Sequence, residues 1–382
     1  MLTLDSTTVW VNEIIDQIIA KMDWLSEKSR NKIPYTTIDG EHDDRSVCNP
    51  THTEADGINW WTNGFWGGML WQMYHATGNP KYKDVAEISE QKLDACFHNY
   101  YGLHHDVGFM WLPTSVANFK LTQNPVSRKR AMHAANLLAG RYNLAGEFIR
   151  AWNDLEGEDT RGWAIIDCML NIPLLYWASE ETGDPRFRQI AVKHADMTMN
   201  AFVRADGSVN HIVELDPFVG GVVKSYGGQG YEEGSSWTRG QSWALYGFMM
   251  SYNHTQKEEY LNTAKRVAHY FIANIPENGV TPVDFRQPKE PALEDSTAAA
   301  IAACGLIEIA KVVGLHEKDM YLRAAIKLLQ ALHVDWTTGC DCILKNGSAS
   351  YHATTHHQSI IYGDYFFIEA MFKLKGSDLY FW

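Results

Sequence analysis

Long apolar runs are missing from this 382-residue chain: nowhere do about eighteen apolar residues follow one another, the length a membrane-spanning helix needs. The Met1-Leu2-Thr3-Leu4-Asp5 start also lacks a basic region leading into an apolar stretch, so no signal peptide is expected and the setting reads as cytoplasmic, away from membranes. Positive charge is scarce as well. With 33 Lys and Arg against 46 Asp and Glu, the formal charge of -13 argues against nucleic acid, because neutralising phosphates requires clustered Lys and Arg. Cysteine is sparse: Cys48, Cys96, Cys168, Cys304, Cys340 and Cys342 form no dense framework, so reduced thiols are expected. The Cys340/Cys342 spacing matches neither a zinc nor a redox motif. The glycine-rich stretch from Gly227 to Gln241 lacks a Lys and the Walker spacing, which excludes a phosphate loop and leaves a shaped loop presenting Gln229 and Arg239. Two histidine clusters, His104-His105-Asp106 and His352-x-x-x-His356-His357, lack the His-Glu-x-x-His form, and neither is read as a metal site.

Aromatics, by contrast, are plentiful, at 14 Trp, 18 Tyr and 15 Phe. Sugar rings stack their C–H faces on such side chains, although large cores consume them too. The apolar pattern is helical. Residues 8–28 repeat at three-to-four-residue intervals, whereas Trp60 to Trp71 is apolar all round and should line an interior. Thr77-Gly78-Asn79-Pro80 and Thr182-Gly183-Asp184-Pro185 repeat one helix-to-helix turn, with Gly past one helix end and Pro at the next start. The helices that follow share a pattern, seen at Tyr82-x-x-Val85-Ala86, Phe187-x-x-Ile190-Ala191, Tyr260-x-x-Thr263-Ala264 and Tyr321-x-x-Ala324-Ala325, with a degenerate copy at Ser127-x-x-Arg130-Ala131. Together with the N-terminal helix these make six outer helices, and more uniformly apolar partners near 64–77, 106–118, 164–181, 239–254, 296–313 and 359–374 make six inner ones. The expectation is an all-α chain folded as one (α/α)6-barrel domain over 1–382. An open solenoid would keep more regular repeats; here long inserts at 204–238 and 335–358 are natural pocket walls at one mouth, and 206–217 reads as a small β-hairpin.

Two acids carry the candidate chemistry. Asp167 sits among apolar neighbours in Arg161 to Asn171, which should raise its pKa toward a usable general acid, although a mere helix cap would also place an Asp there. Asp106 comes from the preceding inner helix and could meet it, and a carboxyl pair is the usual equipment for cleaving glycosidic bonds. Asp295, ahead of Ser296 and Thr297, is expected to cap a helix, and Asp364 to be structural. His211 and His352 are read as hydrogen-bond donors.

The segments Trp61-Thr62-Asn63-Gly64-Phe65-Trp66, His104-His105-Asp106-Val107-Gly108-Phe109, Ile165-Ile166-Asp167-Cys168, Ser236-Trp237-Thr238-Arg239-Gly240-Gln241 and Ser350-Tyr351-His352 resemble the unsaturated glucuronyl hydrolases of glycoside hydrolase family 88, from Trp61 to Tyr365. The resemblance implies an (α/α)6 barrel without metal or cofactor. Its substrate would be a disaccharide or short oligosaccharide ending in a 4,5-unsaturated uronate, attacked by hydration of the C4=C5 bond. Asp167 then falls on the general acid/base, and Asp106 on a supporting carboxylate. His211, Gln229 and Arg239 fall on polar substrate contacts, and Trp61, Trp152, Trp243 and Tyr351 on aromatic pocket residues. Members acting on sulfated fragments carry a Ser- and Lys-containing stretch after the Tyr-His pair, whereas this chain has Ala353 to Ser359 without a Lys. The rival readings are an unsaturated rhamnogalacturonyl hydrolase on the same barrel and a catalytically silent sugar-binding toroid. The oligomeric state is not legible.

Overall fold

A computed structural model describes residues 4–46, 56–155 and 157–382; Cys48 and the end of the polar loop reaching Pro50 lie outside them. Helices alternate around a ring. The outer set comprises Leu4–Lys28, Pro80–Lys92, Pro125–Ala139, Pro185–Ala201, Glu258–Asn274 and Leu315–Gln330. Each repeated turn works as its residues suggest. Gly78 and Gly183 take left-handed φ values of 68° and 71° to end one helix, while the Asn79 and Asp184 side chains accept the Lys81 and Arg186 backbone N–H groups to start the next. In the degenerate copy Gln123 adopts the left-handed conformation instead (φ 59°) and Asn124 caps the helix.

The inner set is buried on nearly every side. All residues from Ser296 to Ala310 are buried in the Ser296–Val312 helix, and its alanines and Gly305 let neighbours approach closely: a Cβ on Gly305 would lie 2.1 Å from Leu245 Cδ2. The Thr238–Thr255 helix packs on Ser296–Val312, which packs on Ile361–Lys375, which packs on Phe65–Thr77, closing the (α/α)6 barrel. The tryptophans divide: Trp66, Trp71, Trp111, Trp243 and Trp382 are fully buried in the core.

Two inner helices differ from expectation. The 106–118 segment is a Val107–Trp111 helix, a wide π-turn over Leu112–Val116 and an Ala117–Thr122 helix, because Pro113 removes a backbone donor from the regular ladder. The 164–181 segment is helical only in its second half. Trp163–Ile165 is a strand, Ile166–Leu170 a 3-10 turn, and the α-helix starts at Pro173. The strand pairs antiparallel with Ile212–Leu215, which pairs with Val222–Tyr226, so the expected hairpin lies some residues later than 206–217 and turns at Gly220 and Gly221, both at positive φ. This three-stranded sheet stands against the mouth of the barrel and delivers Asp167 and His211 from adjacent strand ends: Ile165 pairs with Ile212, and the Ile166 N–H donates to the His211 carbonyl.

Candidate active site

A cleft of about 580 Å³ opens at that mouth, lined by Trp60, Trp61, Trp152, His105, Asp106 and Asp167 among others. Asp106 precedes the Val107–Trp111 helix without capping it. Its Oδ1 accepts from Asn171 Nδ2 at 2.8 Å, and its Oδ2 lies 3.5 Å from His104 Nδ1 and 3.4 Å from His105 Nε2. The same Asn171 Nδ2 also donates to the Asp167 carbonyl (3.1 Å), and Asn171 Oδ1 accepts the Phe109 N–H at 2.7 Å. One amide thus braces both acid-bearing segments. Gly108 makes room for it, since a Cβ there would lie 2.4 Å from Asn171 Cα. Sequence reasoning missed Asn171, although its spacing of four residues from Asp167 put the two on one helical face.

Asp167 sits inside the 3-10 turn, where Ile165 occupies the cap position and makes no side-chain cap bond. The capping alternative therefore falls: Asp167 Oδ1 is buried and has no hydrogen-bond partner. His211 Nε2 lies 3.9 Å from Asp167 Oδ1 and is equally unpartnered. His211 Nδ1 accepts the Gln229 backbone N–H at 3.0 Å, which leaves Nε2 turned toward Asp167. Gly228 permits this approach at φ 57°, because a Cβ would lie 2.0 Å from His211 Nδ1. Trp60 Nε1, buried without a hydrogen-bond partner, belongs to a cleft residue that sequence reasoning passed over in favour of Trp61.

Burial sets the protonation states. It lifts Asp167 from 3.8 to about 7, against the pull of the positive Arg239, and lowers His211 to about 3, with Arg239 acting in the same sense. Asp106 is raised well above the usual carboxylate range by burial and then by the Asp167 charge, with the Asn171 hydrogen bond opposing. The two acids therefore share protons as a pair. Asp106 accepts a hydrogen bond from the Asn171 amide, whereas Asp167 Oδ1 has no partner.

Other expected site residues divide. Gln229 and Trp152 line the cleft with Trp61, whose ring packs 5.0 Å from that of Tyr362. Arg239 does not reach in. It is buried, its Nη1 bonds Asp295 Oδ2 and the Ser348 carbonyl, its Nη2 bonds the Ala349 carbonyl, and its guanidinium lies over the Trp237 ring. The polar contact expected with substrate is thus made on Asp295, and Arg239 acts on the cleft through its field. Asp295 also caps its helix through Thr297, as expected. Trp243 is fully buried against Phe109 and Phe366, so it backs the cleft and is no part of its lining. Tyr351 stands on the adjoining loop, edge-on to Tyr231, its N–H donating to the Gln229 carbonyl. His352 holds the Tyr231 carbonyl, and Asp364 accepts the Ile343 and Leu344 N–H groups, a structural role.

His104, His105 and Asp106 offer ligand atoms within 4.8 Å of one another, the one such trio among the described residues. Both imidazoles already face the Asp106 carboxylate, whose other oxygen is held by Asn171.

Paired carboxyls and a neutral histidine in a Trp-walled cleft at the mouth of an (α/α)6 barrel define a carbohydrate-active hydrolase. Residues 26–369 match the model of Glycosyl Hydrolase Family 88. The chain belongs to that family and is a glycoside hydrolase. It is 36% identical over 333 residues to the unsaturated glucuronyl hydrolase of Bacillus sp. strain GL1, spanning 84% of this chain and 88% of that protein. The crystal structure of the Bacillus enzyme superposes with a TM-score of 0.87, covering 96% of this chain and 97% of that one at 32% identity. The unsaturated chondroitin disaccharide hydrolase of Streptococcus pyogenes serotype M1 is 37% identical over 325 residues, covering 82% of this chain and 80% of that protein. An Asp-to-Asn mutant of the Streptococcus agalactiae unsaturated glucuronyl hydrolase, complexed with dGlcA-GalNAc6S, matches at 28% identity with a TM-score of 0.81, covering 98% of this chain and 94% of that one. Among the described residues, no helix is long and apolar enough to cross a membrane.

Proposed function

We propose that this hydrolase removes the 4,5-unsaturated uronate from the non-reducing end of disaccharides and short oligosaccharides left by a polysaccharide lyase. The observation that carries the reading is the asymmetry of the acid pair: Asp106 is held by Asn171, while Asp167 Oδ1 is buried without a partner beside His211 Nε2. An acid poised near 7 suits protonation of carbon in an enol ether. Asp167 gives its proton to C4, and its carboxylate then takes a proton from the water that adds at C5. The resulting hemiketal opens to a C5 ketone, and the exposed hemiacetal at C1 expels the next sugar with an open-chain keto-uronate as the other product. His211 and Gln229 contribute N–H groups to the ring substituents, Asp106 stands at C4 or the adjacent hydroxyls, and the flat ring stacks on Trp61 or Trp152. The names of the relatives favour uronate over the rhamnogalacturonyl alternative, and both acids argue against a silent toroid. Closure of the first inner helix on the last supports one catalytic domain over 1–382. Thiols at Cys168, Cys304, Cys340 and Cys342 that form no disulfide support a reducing, cytoplasmic setting.

The test is the absorbance of the conjugated C4=C5 bond. It should fall when the protein, with no metal added, meets unsaturated disaccharides from hyaluronan, chondroitin, heparin or gellan. Absorbance that stays constant across the whole panel refutes the proposal.

A further inference from the structure

The insert over 335–358 is tied down at its base by one short turn. Lys21 Nζ, from the first outer helix, donates to the carbonyls of Asp335, Thr337 and Cys340 at 3.0, 2.7 and 2.6 Å. The next residue, Asp341, is fully buried. Its N–H donates to the Gly40 carbonyl at 2.7 Å, its Oδ2 accepts the His42 N–H at 2.9 Å, and its Oδ1 pairs with Lys28 at 2.9 Å. Beyond it the chain runs on to Ser348 and Ala349, whose carbonyls hold Arg239, and to Tyr351.

Cys340 and Cys342 flank Asp341. On an extended chain, residues two apart share a face with their Cα atoms about 6–7 Å apart. The bend at Asp341 closes that gap, and the two Sγ atoms lie 2.9 Å from each other. Access to them is graded. Cys340 is half-buried and is the one cysteine among the described residues that solvent reaches, while Cys342 lies behind it at 2% exposure. The Lys21 ammonium at the Cys340 carbonyl supplies the nearby positive charge that favours a thiolate. The Asp341 carboxylate, which would oppose it, is turned to Lys28 and the His42 N–H.

We propose that Cys340 and Cys342 form a reversible oxidation site, in which a peroxide oxidises Cys340 and Cys342 closes the disulfide. The Cys340 thiolate attacks one peroxide oxygen: the S–O bond forms, the O–O bond breaks, and the departing hydroxide takes a proton to become water. The Cys342 sulfur then displaces the oxygen of the sulfenic acid. The S–S bond forms, the S–O bond breaks, and the Cys342 proton leaves with the oxygen as a second water, so that two thiols give up two electrons and the peroxide gains them. A disulfide is about 2.0 Å long, so sulfurs 2.9 Å apart close through side-chain rotation and leave the anchors of Asp341 in place. In a reducing setting the pair rests as thiols and returns to them by exchange. Without Cys342, the sulfenic acid at Cys340 goes on to the sulfinate, which is irreversible and negatively charged. That charge would stand one residue from the buried Asp341 carboxylate, repel it and loosen the turn from which the insert hangs.

The test treats the folded wild type, Cys342→Ser and Cys340→Ser with hydrogen peroxide, blocks remaining thiols with an alkylating agent, and weighs the peptide carrying residues 340–342. The wild-type peptide should lose about 2 Da together with both alkylation sites, and dithiothreitol should restore both; the Cys342→Ser peptide should gain about 32 Da that dithiothreitol does not remove. Melting temperature should be unchanged by peroxide in the wild type and in Cys340→Ser, and should fall by about 1–2 °C in Cys342→Ser. A wild-type peptide that keeps both thiols, or that takes up oxygen as the variant does, overturns the proposal. An oxidised Cys342→Ser that melts with its untreated form overturns the link between the pair and the anchoring of the insert.

Discussion

Replacing Asp167 with asparagine should abolish turnover and, above neutral pH, make the protein harder to unfold. The carboxyl lies buried with Oδ1 unpartnered, and burial raises its pKa from 3.8 to about 7. An acid whose native pKa exceeds its unfolded value binds more protons folded than unfolded between the two, so its contribution to stability is present at low pH and is lost as pH rises from about 4 to about 7. At about 1.4 kcal/mol per pH unit, the interval from 3.8 to about 7 amounts to about 4 kcal/mol of destabilisation carried by the ionised wild type. Asparagine has no charge to bury. It also removes the like charge that helps to raise Asp106, which acts in the same direction. Urea unfolding of both proteins at about pH 4.5 and about pH 8 measures the difference: near-equal stability at the lower pH and a more stable variant at the higher one are expected. In the absorbance assay the variant should lose at least about 10³-fold in kcat, within the span assigned to a general acid. A variant no more stable than wild type at about pH 8, or one that still turns over, would show that Asp167 is neither strained by burial nor the proton donor.

Asn171→Leu removes the donor that holds Asp106 and opposes the rise in its pKa, so the acidic limb of the kcat/KM profile should move to higher pH and kcat should fall by roughly 10–100-fold, the worth of one hydrogen bond to a charged group. An unmoved profile in a folded Asn171→Leu protein would reduce the amide to packing. Gly228→Ala puts a Cβ 2.0 Å from His211 Nδ1 at a left-handed backbone position. It should cost roughly 1–3 kcal/mol in thermal unfolding and depress kcat by displacing the imidazole; an equally stable and active variant would break that link.

Much of the fold was written locally. The Gly-Asn-Pro and Gly-Asp-Pro turns announce their geometry in adjacent residues, and helices apolar on every face can only be interior. The expected helix over 164–181 fails in its first half because an apolar segment without periodicity looks the same in a buried strand as in a buried helix; pairing with Ile212–Leu215, far along the chain, decides the matter. At the site, Asp106 and Asp167 do line one cleft, which the order of the hairpins made visible. The fate of Arg239 was not visible, because its partner Asp295 lies 56 residues away and nothing local marks the pair. Trp243 and Trp61 look alike in sequence, and only the curvature of the ring of helices puts one in the core and the other on the wall.

Ring closure by the Ile361–Lys375 helix against Phe65–Thr77 has a consequence for how the chain is made. Neither of these inner helices has its full complement of neighbours until the other is present, and about three hundred residues of synthesis separate them. Throughout that time the Trp- and Phe-rich side of the growing arc has an open edge. The cleft wall at Trp61, which leans on Tyr362, is completed only when the last turn of the ring arrives. Loss of that final helix would therefore leave a sticky, inactive arc of hairpins in place of a shorter enzyme.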